Sequence, residues 1–248
     1  METNYSVEHE KYKLFRPTYG SQIYNFIQEV ITDNDLAWDC ACGTGQATSE
    51  LAKIFKNVVA TDIDSNQLSS CLQLNNVNYE QCGEFNAFLK DESVDFISVA
   101  TGIHWLDTAK FYKEADRVLK KGGVLGVWGY TGVNVHPDID PVFKAIVEEY
   151  LMPFYPESIK IALNGYVDVK LPFEAIKSTN YEVEKVWDFT EFKNYILSFT
   201  AMQNYKALMG KCGFYRFEDQ LLDAWGGDKT IKKTLKWEVI TKFSRKQL

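Results

Sequence analysis

Over its first 130 residues the chain repeats one rhythm: a short apolar run, a turn, then a stretch with apolar side chains at helical spacing. Leu36-Ala37-Trp38 reads as a short buried strand, Gln46 to Ile54 as a helix and Asn57 to Thr61 as a second strand. Further strands are predicted at Val77 to Gln81, Val94 to Ala100 and Gly123 to Tyr130. Helices are predicted at residues 20 to 31, at Ser65 to Leu74 with Asp64 or Ser65 as cap, and at Thr108 to Leu119, followed by a turn at Lys121-Gly122-Gly123. Strands separated by helices of this length pair in parallel through right-handed crossovers, so the fold class is α/β.

After Tyr130 the rhythm breaks, and five of the six prolines fall between there and about Asn180. Pro141 to Leu151 has helical spacing, whereas Pro153-Phe154-Tyr155-Pro156 must be extended or turned. A sixth strand is expected at Tyr181 to Trp187, followed by an amphipathic helix carrying Phe192, Tyr195, Ile196 and Phe199 on one stripe. From Ile231 to Phe243 the pattern alternates, with Ile231, Leu235, Trp237, Val239 and Phe243 on one face. That is a half-buried strand, antiparallel at or near the sheet edge. The expected organisation is one domain: a cap segment over 1–34, a cofactor-binding core over 35–130, an inserted substrate lid over 131–180, and completion of the core over 181–248.

Composition changes the picture in three places. A net charge of -7 and only four arginines (Arg16, Arg117, Arg216, Arg245) argue against a nucleic-acid binder, which needs a basic surface. The five cysteines are odd in number and include no Cys-x-x-Cys pair, so a reducing compartment and no metal are expected. No apolar stretch reaches ~18 residues and the N-terminus lacks signal-peptide character. The expectation is a cytoplasmic monomer or homodimer, not bound to membrane.

The candidate chemistry lies in Asp39-Cys40-Ala41-Cys42-Gly43-Thr44-Gly45, between the first strand and helix, and in Asp62 after the second strand. Strand, glycine turn, helix, strand and acid form a nucleotide-binding crossover, the acid being placed for a ribose diol. A dinucleotide site would carry a third glycine where Thr48 stands, and Asp39 would repel a pyrophosphate. Asp39 suits an ammonium group instead, which favours S-adenosylmethionine: amine, carboxylate and sulfonium, with no phosphate. Its amine would face Asp39 through water, and its carboxylate the turn amides and helix N-terminus. The rival readings are an NAD(P)-dependent oxidoreductase on a similar sheet and a non-catalytic regulatory protein that keeps the cofactor fold.

These motifs, with Gly83-Glu84, Val94-Asp95-Phe96, His104-Trp105 and Arg117-Val118-Leu119-Lys120-Lys121-Gly122-Gly123, resemble the class I S-adenosylmethionine-dependent methyltransferases. Phe15-Arg16-Pro17-Thr18-Tyr19 and Leu221-Leu222-Asp223-Ala224-Trp225 extend the resemblance to the small-molecule group that includes trans-aconitate methyltransferase and its plant and fungal relatives. The resemblance implies a Rossmann-like sheet, mostly parallel with an antiparallel C-terminal strand and a helical or irregular lid after the fifth strand. It implies S-adenosylmethionine as cofactor and S-adenosylhomocysteine as product. Asp39, Gly43 and Gly45 would hold the methionine part, Asp62 the ribose, and Gln81 to Phe85 the adenine, with Glu84 or a backbone group near its amino edge. Ala100-Thr101-Gly102 would lie beneath the sulfonium, while Tyr12, Arg16 and Tyr19 fold over the cofactor.

Methyl transfer is an in-line displacement, so a carboxylate acceptor, ionised at neutral pH, needs no base, whereas an alcohol or phenol does. His104 is the placed candidate for a base, with orienting the loop or filling space beside Trp105 as its other reading. Arg16 would meet a carboxylate. Arg16, Tyr19, Trp105, Trp128, Tyr130, Phe154, Tyr155, Phe199 and Tyr205 are the expected acceptor-pocket residues.

Overall fold

The computed structural model describes residues 15–85 and 88–247, which fall into two compact units. The core unit holds residues 18–85, 88–131, 160–181 and 239–247; the second unit holds 15–17, 132–159 and 182–238.

The core unit is built on strands β1 (Leu36–Cys40), β2 (Asn57–Asp62), β3 (Val77–Gln81), β4 (Val94–Ala100) and β5 (Leu119–Asn134, of which residues to 131 belong here). The sheet runs β3-β2-β1-β4-β5-β8-β6, where β6 is Glu174–Ile176 and β8 is Lys233–Arg245. β1 to β5 pair in parallel, and β8 runs antiparallel to β6. β1 and β4 are buried almost throughout because both faces are covered, so their sequences are dominated by apolar residues, with Asp39, Asp95 and Ser98 as buried polar exceptions. Between them the strand order reverses direction, and at such a point the carboxyl ends of the strands open a crevice for a ligand. Helices α1 (Gly20–Val30), α2 (Gln46–Ile54), α3 (Ser65–Ser69) and α4 (Thr108–Val118) belong to this unit, as does the short α6 (Lys160–Leu163).

Every strand expected from the pattern is present, and β6 is an addition too short to show periodicity. Three local expectations need correction. The helix from Ser65 ends at Ser69 rather than Leu74, because the Ser69 and Ser70 hydroxyls both turn onto the Asn66 carbonyl (2.7 and 3.2 Å). The turn at Lys121-Gly122-Gly123 is a bulge inside β5: β4 advances from Val94 to Phe96 while β5 advances from Leu119 to Val124. Ile231 precedes β8 and is 38% exposed, so the buried stripe begins at Leu235 and includes Thr241.

The second unit contains α5 (Asp140–Ile146), α7 (Phe189–Leu197), α8 (Thr200–Met209), α9 (Glu218–Trp225) and most of β7 (Tyr181–Trp187), which pairs with β8. The helix expected over Pro141 to Leu151 changes to a π turn at Val147. Asp188 starts α7 with a capping box, accepting from the Glu191 amide while Glu191 accepts from its own (both 2.9 Å). Phe192, Tyr195 and Ile196 are buried on α7, but Phe199 lies beyond its end, where it precedes α8. Trp187, Tyr195 and Trp237 meet with ring centroids 5.3 to 5.7 Å apart, and the Trp237 indole donates to the Tyr195 hydroxyl (2.9 Å).

Candidate active site

The first group is organised by Asp39. It sits on β1 opposite Ser98 of β4, at the reversal of strand order, and is fully buried. Its two oxygens accept from the Ser98 hydroxyl (2.6 Å) and the Thr48 hydroxyl of α2 (2.5 Å). Burial raises its pKa to about 6, because a carboxylate loses its water there, while the two hydroxyls partly restore the charged form. Asp39 is thus an ionisable group held rigidly behind the crevice, with neutral donors and no basic partner among the described residues.

The glycine turn comes next. Ala41, Gly43 and Gly45 all take left-handed backbone conformations, with φ of 56°, 56° and 77°. Gly45 precedes α2, and a Cβ there would stand 3.1 Å from the Cys71 sulfur, so the turn is confined as well as bent. Asp62, at the end of β2, holds the turn: its carboxylate accepts from the Gly43 amide (2.8 Å) and from the Asp64 amide (2.9 Å). The Cys42 and Cys71 thiols both face the Gly43 carbonyl; the hydrogen bond with Cys71, together with burial, pushes Cys42 far up, and burial does the same to the neighbouring Cys40. These thiols act as small packing groups around the turn.

At the end of β4 the chain bends again. Thr101 is left-handed (φ 53°), and its amide donates to the Trp128 carbonyl (2.7 Å). Gly102 passes so near the first turn that an added Cβ would lie 2.9 Å from the Ala41 Cβ. Thr101 and Tyr19 share a side-chain hydrogen bond (2.7 Å), and the Tyr181 hydroxyl donates to the Tyr19 carbonyl (2.6 Å). Strained residues at the ends of two adjacent central strands mark a site whose surroundings hold them there. His104 and Trp105 follow on one 3-10 turn; the imidazole is 5% exposed, the indole 48%.

Thus Asp39, Gly43, Gly45, Asp62, Ala100, Thr101 and Tyr19 are gathered at the carboxyl ends of β1, β2 and β4. Gln81 closes β3 beside Asp62 and donates to the Ile63 carbonyl (3.0 Å). Glu84 lies 4.0 Å from the Lys110 ammonium, and Phe85 is exposed with the Arg117 guanidinium over its ring. Trp128 and Tyr130 lie buried on β5, both near the Tyr19 ring. Arg16 belongs to the second unit, where it donates to the Ser198 carbonyl (3.0 Å) and lies over the Tyr195 and Phe199 rings. Phe154 and Tyr205 meet edge to face in that unit, and burial raises the Tyr155 hydroxyl pKa against the pull of Arg16. Tyr12 lies outside the described residues.

Known proteins resemble this chain in sequence and fold. The family described as "Methyltransferase domain" matches residues 38–127, the stretch that contains the acid, the glycine turn and β1 to β5 as far as Val127. A methyltransferase named in Dictyostelium discoideum is 29% identical over 224 residues, covering 87% of this chain and 84% of its own. These matches support a class I S-adenosylmethionine-dependent methyltransferase. A type II methyltransferase structure from Anaeromyxobacter dehalogenans superposes on this methyltransferase with a TM-score of 0.82 at 27% identity, covering 93% of this chain and 98% of that one. An S-adenosylmethionine-dependent methyltransferase of Saccharomyces cerevisiae is 28% identical over 137 residues, 51% of this chain and 47% of its own, so about half of that yeast protein is spanned.

The site fits the methyl donor on its own terms. A pyrophosphate would meet the buried Asp39 with no third glycine to ease its approach, whereas an ammonium group gains from that carboxylate. Two parts of the methyltransferase site were missed in the sequence. Ser98 interrupts the apolar run of β4, and a lone hydroxyl in a doubly buried strand was a readable sign of a buried polar partner. The left-handed conformations of Ala41 and Thr101 carry no composition signal, since neither residue is glycine.

Proposed function

We propose that this methyltransferase makes methyl esters of a small carboxylic acid, with Asp39, Gly43, Gly45 and Asp62 holding the cofactor. The carrying observation is Asp39, a rigid buried carboxylate behind the turn, whose charge suits the amine of the methyl donor. Asp62 is the ribose acceptor in this reading; two backbone amides already orient its oxygens. The bound cofactor supplies a methyl group on a sulfonium, already activated for displacement.

A carboxylate acceptor would take this methyl group on an oxygen, the C–S bonding pair remaining on sulfur, and no residue of the chain would need to move a proton. Positioning and exclusion of water carry the rate enhancement. Arg16 supports the carboxylate reading, because its guanidinium is oriented by the Ser198 carbonyl and stacked over two rings, a setting for planar recognition of a carboxylate. In the core unit, the aromatic residues Tyr19, Trp128 and Tyr130 suit an acceptor with an apolar body. His104 orients the acceptor, and serves as base only if the acceptor is a hydroxyl.

The test uses S-adenosylmethionine labelled in the methyl group and a panel of aliphatic, aromatic and polycarboxylic acids. Label in a base-labile, extractable ester supports the reading. Label in base-stable ethers or amines, or none while S-adenosylhomocysteine still binds, would discard the carboxylate acceptor and leave the cofactor assignment standing.

A further inference from the structure

The segment that follows α6 carries a residue that none of the motifs singled out. α6 ends in paired bonds, Gly165 amide to Ala162 carbonyl (3.0 Å) and Tyr166 amide to Ile161 carbonyl (2.9 Å), which close a helix through a left-handed residue. Gly165 takes that conformation at no steric cost, yet Tyr166 takes it too, with φ of 56°. A left-handed bulky aromatic is a genuine outlier, and Tyr166 is nonetheless 2% exposed. Its ring goes to the end of β5, where a Cβ added to Gly129 would stand 2.3 Å from its hydroxyl oxygen and 2.6 Å from the ring carbon bearing it. Gly129 is therefore glycine because the phenol lies directly against its backbone.

Gly129 follows Trp128, whose carbonyl receives the Thr101 amide, so the phenol lands at the carboxyl edge of the sheet beside the bend leading to His104. The Tyr166 and His104 rings are neighbours, 6.3 Å between centroids, and Trp105 is another aromatic neighbour of the imidazole at 4.8 Å. His104 rides on a single 3-10 turn, a support too short to fix a side chain by itself. The geometry points to Tyr166 as the positioning residue of His104: wedged over Gly129, its ring holds the imidazole in one orientation at the acceptor end of the site. This inference rests on the methyl-transfer reading for its consequence, but the positioning itself is a property of the protein alone. It gives the stretch after α6 a role in the site.

The chain has three histidines, His9, His104 and His136, so imidazole NMR signals are few, and the His104→Ala variant assigns the one needed. Spectra are compared for the full-length protein, Tyr166→Phe, Tyr166→Leu and Gly129→Ala, each first tested for a melting shift with S-adenosylhomocysteine. Tyr166→Phe keeps the ring and should leave the His104 signals in place. Tyr166→Leu and Gly129→Ala should move and broaden them, as the imidazole samples several orientations. With a carboxylic acid that accepts methyl, these two variants should lower kcat about 10- to 100-fold, with KM for S-adenosylmethionine unchanged. The kcat losses of Tyr166→Leu and His104→Ala should not multiply in the double variant. Unmoved His104 signals in both Tyr166→Leu and Gly129→Ala, or losses that multiply, would overturn the assignment. Failure of every carboxylic acid would count against the acceptor reading only, since the NMR comparison still decides the role of Tyr166.

Discussion

Replacing Asp39 by Asn should make the ligand-free protein more stable and its cofactor site worse. The folded pKa of about 6 lies above the ordinary carboxylate value because burial penalises the charge. The sign follows directly. Between about pH 4 and pH 6 the folded state holds a proton that the unfolded state has released, so stability falls as pH rises through this window. Above pH 6 the cost is complete, about 3 kcal/mol at ~1.4 kcal/mol for each tenfold change in proton affinity. Asn removes that cost but presents an amide where an oxygen stood, so either the Ser98 or the Thr48 hydroxyl must turn to accept, at about 1 kcal/mol. A net gain of about 1–2 kcal/mol remains, or roughly 2–8 °C in Tm for a chain of this length. The gain should be present at pH 7.5 and shrink toward pH 4.5. S-adenosylhomocysteine, which keeps the amine, should bind Asp39→Asn about 10- to 100-fold more weakly, an attraction of the size two charges separated by a water feel in a partly buried site. Its affinity for the unaltered protein should also fall below pH 6 as Asp39 takes up a proton. The assay is thermal unfolding at both pH values with and without the ligand. A lower Tm for Asp39→Asn at pH 7.5 together with unchanged ligand affinity would refute the reasoning on both counts.

Other expectations concern the turn and the acceptor side. Gly45→Ala forces a left-handed alanine against the Cys71 sulfur, so it should cost about 1–3 kcal/mol in denaturant unfolding and abolish much of the ligand-induced stabilisation; an unchanged midpoint would remove the steric argument. His104→Ala should lower methyl transfer more than cofactor affinity, and equal losses of both would reduce His104 to a structural residue. Tyr19→Phe removes the hydrogen bond to the left-handed Thr101 and should cost about 1 kcal/mol of stability by calorimetry, unless that bond contributes nothing to holding the bend.

The fold was legible because its signals are long and redundant. Each buried strand of the parallel sheet is dominated by apolar residues, and α2 and α4 carry amphipathic stripes. Local endings were harder, as at Ser69 and Ser70, where side-chain hydroxyls compete with the helix, or at the β5 bulge, where two glycines suit a turn and an irregular strand equally. In the site, Asp39 and Asp62 could be read from spacing because the crossover fixes where an acid after a strand points. Tyr166 could not, since its importance lies in a backbone angle and in the missing side chain of Gly129, neither of which has a periodic signature. Phe154, Tyr155, Phe199 and Tyr205 were legible only as an aromatic-rich composition, because they lie on elements whose arrangement no short-range pattern encodes.

The most direct measurement is thermal unfolding of the protein with S-adenosylmethionine, S-adenosylhomocysteine, NAD and NADP in parallel. At ligand near 100 times its dissociation constant, binding stabilises by about 2.7 kcal/mol, which should raise the midpoint by roughly 5–10 °C for the two adenosyl ligands alone. A shift with a nicotinamide dinucleotide, or none with the adenosyl pair, would contradict the roles given to Asp39 and the glycine turn.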